Sequence, residues 1–350
     1  DGDGDLDLWL GTYMVDEIVA SPDSLWMQGD SGFEDAWGER EGAVNGPRAA
    51  LHGIFSDFDG DGDPDLVVAN DFGAELGYSQ LLENVDGRLG DIDRWADSPL
   101  PSSVDYAMGI ALLDLDGDGA QDLIMSDIGS VHLFQRSGPW DFVDVSTAWG
   151  SSVLRGAVWT AWSVVALDPE GDGRAGFLAT YGPLGEPDSG NPYEPNQRDR
   201  YFAQVGGDAP EFIERANAFS PATPRNTRGV AVADFDEDGV PDLALGTVGA
   251  APALYRGRCT EAARLVVTLG DGVFDARTVG ARVTIEAGAM VLSRELRAGG
   301  EGTFSASEPA LYFGLGDATA VERFTVLWPD GSELEYALDC VHCRVRVPLP

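Results

Sequence analysis

A nine-residue acidic pattern, Asp-x-Asp-x-Asp-Gly-x-x-Asp, recurs along this chain and limits the folds that the chain can adopt. Complete copies begin at Asp57, Asp114 and Asp234. A degraded copy begins at Asp168, and a partial copy that lacks its first position opens the chain at Asp1. Repetition at intervals of about 55–65 residues is typical of architectures that use one supersecondary unit many times.

Short apolar segments surround each copy in the same order. In the repeat that contains Asp114 they lie at 109–113, before the loop, and at 123–125, 133–134 and 142–145, after it. Four short strands joined by tight turns are the unit of a β-propeller blade. We therefore predict an all-β fold in which five visible repeats, the first of them incomplete, form a β-propeller over residues 1–256.

The acidic loops have the ligand spacing of a calcium site. Positions 1, 3, 5 and 9 supply carboxylates, Gly at position 6 allows the sharp bend, and the carbonyl at position 7 adds a neutral oxygen. Oxygen ligands in a flexible ring suit Ca²⁺ better than Mg²⁺, and these loops contain no His or Cys that would favour zinc or copper. The candidate metal ligands are Asp57, Asp59, Asp61, Asp63 and Asp65; Asp114, Asp116, Asp118 and Asp122; Asp234, Asp236, Asp238 and Asp242; and, in the partial copy, Asp1, Asp3 and Asp7.

Two alternatives to this interpretation are simple turns and EF-hands. Asp-Gly runs often form turns, but three complete copies between apolar strands argue against chance. An EF-hand requires Glu at position 12, where this chain has Val68, Met125 and Leu245. In the degraded copy Gly176 replaces the last carboxylate and Glu170 replaces an Asp, so we expect weak or no metal binding there.

The net charge of the chain argues against some classes of binding partner. It has 60 Asp and Glu against 22 Lys and Arg, a formal net charge of −38. A surface this negative repels nucleic acid and anionic membranes. No run of about 18 apolar residues is present, so we predict no membrane insertion. Because the chain opens at Asp1 inside a motif, we expect that the native protein has residues upstream.

The acidic loops and their flanking strands resemble the FG-GAP or VCBS repeats of integrin α-chain propellers and many bacterial surface proteins. The resemblance covers residues 1 to about 256. It implies that each loop joins two neighbouring strands of one blade and binds Ca²⁺ through the carboxylates named above.

The pattern changes after residue 256, and residues 257–350 form a second predicted domain. About seven alternating strands and a Pro-Asp-Gly turn at 329–331 predict a small β-sandwich or barrel. The segments 279–283, 297–300, 311–316 and 328–331 look like the ASPIC/UnbV domain. Repeats followed by this domain resemble the cartilage acidic protein family, which implies a secreted, acidic, calcium-binding protein without known catalysis.

The three cysteines leave several interpretations open. Cys340 and Cys343 could form a redox pair, or a weak zinc site with Cys259 and His342. We favour a disulfide from Cys259 to Cys340 or Cys343, which would join the ends of the small domain in an oxidising compartment.

Motifs that suggest an enzyme are weak. Gly29-Asp30-Ser31-Gly32 is similar to a protease nucleophile turn, but no His precedes it, and we predict a simple strand-to-strand turn. We predict a secreted or cell-surface protein that is not an enzyme and that binds an unknown protein or carbohydrate ligand, with contacts from loops such as 182–200. The alternative is a propeller hydrolase or lyase whose catalytic part precedes Asp1. The small domain lacks an acidic loop, so we expect calcium to stabilise the propeller and barely affect that domain.

Overall fold

The computed structural model describes residues 4–15, 19–20, 23–36, 48–85, 87–91, 103–151, 159–184, 195, 197–206, 210–216, 218–219, 223–258 and 260–350. The described chain is nearly all β-strand, and its one α-helix is the four-residue α1 (Gly73–Leu76). The predicted all-β class is confirmed.

Three consecutive four-stranded antiparallel sheets form the centre of the N-terminal region, and each follows chain order from first to last strand. They consist of β6 (Ala49–Ser56), β7 (Asp65–Asp71), β8 (Gln80–Val85) and β9 (Arg88–Asp91); β10 (Ile110–Leu113), β11 (Asp122–Ser126), β12 (Val131–Gly138) and β13 (Asp141–Asp144); and β14 (Ala161–Leu167), β15 (Gly176–Tyr181), β16 (Arg200–Val205) and β17 (Glu211–Glu214). These are the blades that the repeat predicted.

The first and last sheets of the N-terminal region are modified forms of the four-stranded blade. The first contains β1 (Leu8–Leu10), β4 (Ser24–Gly29) and β5 (Gly32–Asp35), beside a small ribbon of β2 (Met14–Val15) and β3 (Val19–Ala20). The last blade contains β18 (Thr227–Ala233), β19 (Asp242–Thr247) and β20 (Ala253–Tyr255). Gly29 pairs with Gly32 at the tip of the β4–β5 hairpin, so the Gly-Asp-Ser-Gly motif is a strand-to-strand turn, as predicted.

The blades pack face to face, and this explains the apolar runs in the sequence. Strands β7, β11 and β15 are buried along their whole length, because each lies in the middle of a sheet that has a neighbouring sheet on both faces. One apolar core joins Ile54 and Val67 of one blade to Leu112 and Leu123 of the next. Continuous apolar strands without alternation are therefore what this stacking requires.

The C-terminal region is a two-sheet sandwich, which settles the choice between sandwich and barrel. One sheet has the order β25 (Leu311–Gly316), β21 (Ala263–Leu269), β28 (His342–Val347), and the other has the order β23 (Met290–Glu295), β22 (Arg282–Ala287), β26 (Arg323–Leu327), β27 (Glu333–Glu335). Leu265 and Phe313 of the first sheet share a core with Val283 and Phe324 of the second. A further short strand, β24 (Ala306–Ser307), leaves the sandwich and pairs in parallel with β18.

The predicted cysteine pairing was wrong. Cys340 and Cys343 form a disulfide with each other, across the turn that leads into β28. Neither sulfur is therefore available to Cys259, which lies outside the described residues. The short separation of the two cysteines makes the disulfide a local constraint on the end of the sandwich.

Candidate metal sites

Each acidic loop connects the first strand of a blade to the second, at the same end of every blade. The loop that begins at Asp57 joins β6 to β7, that at Asp114 joins β10 to β11, and that at Asp234 joins β18 to β19. Because the strands leave the loop as antiparallel neighbours, the loop has to reverse direction within nine residues. Glycines with positive φ at position 6 allow this reversal, for example Gly119 with a φ of 87°.

The first carboxylate of each loop closes the turn through two backbone hydrogen bonds. Asp114 accepts from the N–H groups of Gly117 and Gly119, at 2.7 and 3.0 Å. Asp57 makes the same pair of bonds with the N–H groups of Gly60 and Gly62. These bonds fold each loop around its first carboxylate.

The last carboxylate connects the loop to the third strand of the blade. Buried Asp122 accepts from the N–H of Leu115 with one oxygen, at 2.7 Å, and from the N–H of Arg136 with the other, at 2.8 Å. Asp65 and Asp242 make equivalent pairs of bonds in their own repeats. Position 9 therefore has a structural role that the ligand spacing alone does not reveal.

Three groups of carboxylates converge closely enough to hold a metal ion. In each group the three candidate ligand oxygens lie within 4.8 Å of one another; the groups are Asp57, Asp59 and Asp61; Asp114, Asp116 and Asp122; and Asp234, Asp236 and Asp242. An all-oxygen donor set of this density fits a hard divalent cation.

The electrostatics of these groups also favours a cation. Burial and the neighbouring Asp116 and Asp114 carboxylates together raise the pKa of Asp122 to about 8, against the opposing effect of two N–H donors. Burial and then the adjacent loop carboxylates likewise raise the pKa of Asp114. Like charges this close disfavour ionisation, and a bound cation would reverse that effect.

Not every predicted ligand joins a group. Position 5 belongs to the group only in the first complete loop; Asp118 and Asp238 instead accept from backbone N–H groups two residues ahead. Asp63 donates its N–H to Asp61, and Asp65 lies outside the first group. In the partial copy Asp7 accepts from Gln28 N–H, whereas Asp1 and Asp3 lie outside the described residues.

The degraded loop at Asp168 forms no three-carboxylate group in the described part of the chain. Its Glu170 carboxylate accepts from the Tyr201 hydroxyl at 3.1 Å. The guanidinium of Arg264, from the sandwich, donates to the Pro169 carbonyl at 3.0 Å. Gly316 N–H, also from the sandwich, donates to the carbonyl of Gly171. The backbone of this loop thus lies where the second domain docks.

Two arginines pair with carboxylates of the Asp234 loop. Arg344, on β28 of the sandwich, lies 2.8 Å from an Asp234 oxygen whose side chain is fully buried. Arg256 pairs with Asp238 at 3.1 Å and with Asp236. Sequence reasoning missed both arginines, because each is an isolated residue outside the acidic motif, and Arg344 lies 110 positions along the chain from Asp234.

The sandwich contacts the loop end of the blades at further positions. Ser56, just before the Asp57 loop, donates its hydroxyl to the buried Glu295 at 2.7 Å. Arg297 donates to the Leu112 carbonyl at 2.9 Å, two residues before the Asp114 loop. All four loop regions therefore meet the C-terminal domain.

Two family models match the chain. Residues 57–125 match the FG-GAP-like repeat, and residues 275–338 match the family described as ASPIC and UnbV. The chain therefore combines an FG-GAP-like repeat with an ASPIC/UnbV domain, in the order expected from the sequence.

A curated protein aligns with most of this chain. Cartilage acidic protein 1 of Xenopus tropicalis is 27% identical over 271 residues, which cover 73% of this chain and 39% of the relative. The chain thus spans well under half the length of that protein.

Two solved structures are similar at low scores. A lectin of Agrocybe aegerita that recognises non-reducing terminal N-acetylglucosamine has a TM-score of 0.36 and 14% identity, covering 67% of this chain and 60% of its own. The exotype rhamnogalacturonan lyase YesX has a TM-score of 0.36 and 12% identity, covering 98% of this chain and 71% of its own. At these scores nothing about the function of this chain follows from either structure. Among the described residues, none of the helices has the length and apolar character needed to cross a bilayer.

Proposed function

We propose that this chain is an extracellular calcium-binding module that acts by binding or scaffolding, and not by catalysis. The observation that carries the proposal is the convergence of three carboxylates in each of three equivalent loops. The same loop end of the blades also receives the C-terminal domain, so cations bound there would stabilise the site where the two domains meet.

Calcium is the cation that best suits these loops. Their ligands are carboxylates and carbonyls on flexible turns, and Ca²⁺ accepts six to eight such oxygens in irregular geometry, whereas Mg²⁺ demands an octahedron. The loops contain no His or Cys to attract softer metals. In the proposed sites Asp57, Asp114 and Asp234 would hold both the ion and the turn.

The extracellular location is supported by the disulfide and by the relative. Disulfides persist mainly in oxidising compartments, and Cys340 and Cys343 form one. The similar protein is named for cartilage and for its acidity, and this chain carries a net charge of −38. We propose a protein or carbohydrate ligand, with nucleic acid disfavoured by charge.

Isothermal calorimetry with Ca²⁺ tests the metal assignment. The full chain, freed of metal with a chelator, should give a binding heat when it is titrated with Ca²⁺. The combined substitutions Asp59→Ala, Asp116→Ala and Asp236→Ala should abolish this heat, because each removes one ligand from a different group. Asp172→Ala is the matched control, since it removes an acidic loop residue from the copy that forms no group. The control should retain the wild-type heat. Wild-type heat in the triple variant, with the fold intact by circular dichroism, would show that the loops are turns only.

A further inference from the structure

One segment of the C-terminal domain leaves the sandwich and runs along the inner edge of the blades. This segment, residues 297–308, is called the axial loop here. It contacts the first strand of four successive blades, β6, β10, β14 and β18. The first strands are the innermost strands of a propeller, so the axial loop lies where the channel of the propeller runs.

Glu301 of the axial loop ties two blades together. Its carboxylate accepts from Ala166 N–H on β14 at 2.8 Å and from Leu112 N–H on β10 at 3.4 Å. Arg297 donates to the same carboxylate at 2.6 Å and to the Leu112 carbonyl. The two backbone donors and the arginine compensate the negative charge of this half-buried carboxylate.

The next residues follow β10 toward the end of the blade that is opposite to the acidic loops. Gly302 N–H donates to the Ile110 carbonyl at 2.8 Å, and the Thr303 hydroxyl donates to the Met108 carbonyl. On the other side His52 of β6 accepts from Ile110 N–H and hydrogen-bonds the backbone of Gly300.

The axial loop then returns along the last blade. The Ser305 hydroxyl accepts from Val230 N–H at 3.0 Å and lies 2.6 Å from the Ser163 hydroxyl. Ala306 and Ser307, which form β24, pair in parallel with β18. The last blade thus gains an inner strand from the C-terminal domain.

Glycines on both sides make this close approach possible. A Cβ on Gly302 would lie 2.0 Å from the Ser163 hydroxyl, and a Cβ on Gly229 would lie 1.9 Å from the Phe304 carbonyl. By contrast, Gly299 has a similar positive φ but no atom within 4 Å of an added Cβ. The fit is therefore tight at the tip of the loop and open where the loop begins.

We infer that the axial loop occupies the axial channel and binds the inner blade edges in place of an external ligand. It thereby keeps external ligands out of the channel and joins the two domains into one cooperative unit. An outside ligand would have to displace the bonds to Ala166, Ile110 and Val230 before it could bind there. Ligands of this protein are thus expected on other surfaces.

Hydrogen exchange of the full chain tests this inference. Gly302→Ala should expel the tip of the loop, and the Ala166 and Val230 amides, whose acceptors belong to the loop, should exchange at least about tenfold faster. Gly299→Ala imposes a comparable backbone strain without the clash, and it should leave these amides at the wild-type rate. The Asn84 amide, bonded to Asp65, is the internal reference.

Disulfide trapping is a second test that does not depend on destabilising the fold. In a Cys259→Ser background, the pair Ser163→Cys and Ser305→Cys replaces two hydroxyls 2.6 Å apart and should cross-link under mild oxidation. Ser163→Cys with Ser332→Cys, in the exposed turn of the sandwich, should not. A folded chain in which the first pair stays reduced, or in which the two glycine variants exchange alike, would overturn the inference.

Discussion

At the scale of single residues, the aspartates of the acidic loops have two different structural roles. Asp57 and Asp114 fold the turn by accepting N–H bonds, whereas Asp122 joins the loop to the third strand. Asp116 differs, because its oxygens bond Asp118 N–H and the Gln135 side chain within the exposed part of the loop. A carboxylate can therefore be needed for the fold, for the metal or for both.

The substitution Asp122→Asn separates these roles. An amide offers one oxygen where two backbone N–H donors need acceptors, and an unsatisfied buried N–H costs about 1–3 kcal/mol. We expect the free energy of unfolding to fall by that amount in chelator as well as in Ca²⁺, as measured by urea denaturation. The comparison variant, Asp116→Asn, should lower the free energy of unfolding in Ca²⁺ and leave it unchanged in chelator. Equal losses for the two variants in chelator would contradict a structural role specific to position 9.

At the scale of elements, the loop differs from blade to blade in what it contacts. The loops at Asp57 and Asp114 group their carboxylates without a cationic partner in the described ion pairs, whereas the Asp234 loop faces Arg344 and Arg256. The degraded loop has Arg264 against its backbone carbonyls. Arginines and a divalent ion compete for the same negative charge, so the Asp234 loop should bind Ca²⁺ more weakly than the other two.

Removing an arginine should strengthen the Asp234 site. In a chain whose other sites are disabled by Asp59→Ala and Asp116→Ala, Arg344→Gln should lower the Kd for Ca²⁺ several-fold, on the order of 1 kcal/mol, because a positive charge next to the ion is lost. Arg323→Gln is the matched control, since it removes a charge that pairs with Glu286 and Glu335 on the sandwich surface. Calorimetry should show an unchanged Kd for the control. An equal fall in Kd in the Arg323→Gln variant would instead indicate a general effect of net charge.

Local elements were predictable, and long-range contacts were not. The spacing around Asp114 predicted strands near 109–113, 123–125 and 133–134, and β10, β11 and β12 match them to within one residue or extend beyond them, because period and turn chemistry are local properties. The segment 297–300 looks like part of an ASPIC/UnbV domain, but no periodicity reveals that it enters the propeller. The Cys340–Cys343 pairing also escaped prediction, since sequence does not fix connectivity.

At the scale of the whole molecule, two domains with separate cores share one boundary, which includes the loop regions that begin at Asp57, Asp114, Asp168 and Asp234. Ser56 with Glu295, Arg344 with Asp234 and Arg264 with Pro169 cross that boundary, and the axial loop extends it along the blades. The sequence led us to expect a small domain indifferent to calcium. The contacts of Arg344 and Glu295 instead predict that metal binding at the loops changes the stability of both domains.

Scanning calorimetry with and without chelator tests this coupling. Three sites at a hundredfold excess of Ca²⁺ over Kd add about 8 kcal/mol, which for a chain of this size shifts Tm by roughly 10 °C. We expect one transition that contains both domains and moves as a unit to lower temperature in chelator. Two transitions, with the one assigned to the sandwich unmoved, would restore the independent-domain interpretation.

The axial loop also dictates an order of events during synthesis. Thr303 bonds a carbonyl 195 residues earlier in the chain, at Met108. Ribosomes add about 5–20 residues per second, so Met108 emerges about 10–40 s before the Thr303 that bonds it. For that interval the nascent blades expose an unpaired backbone edge, the kind of surface that chaperones shield and that neighbouring nascent chains can join. The segment that contains the axial loop therefore decides when the inner strands that it covers are protected from aggregation.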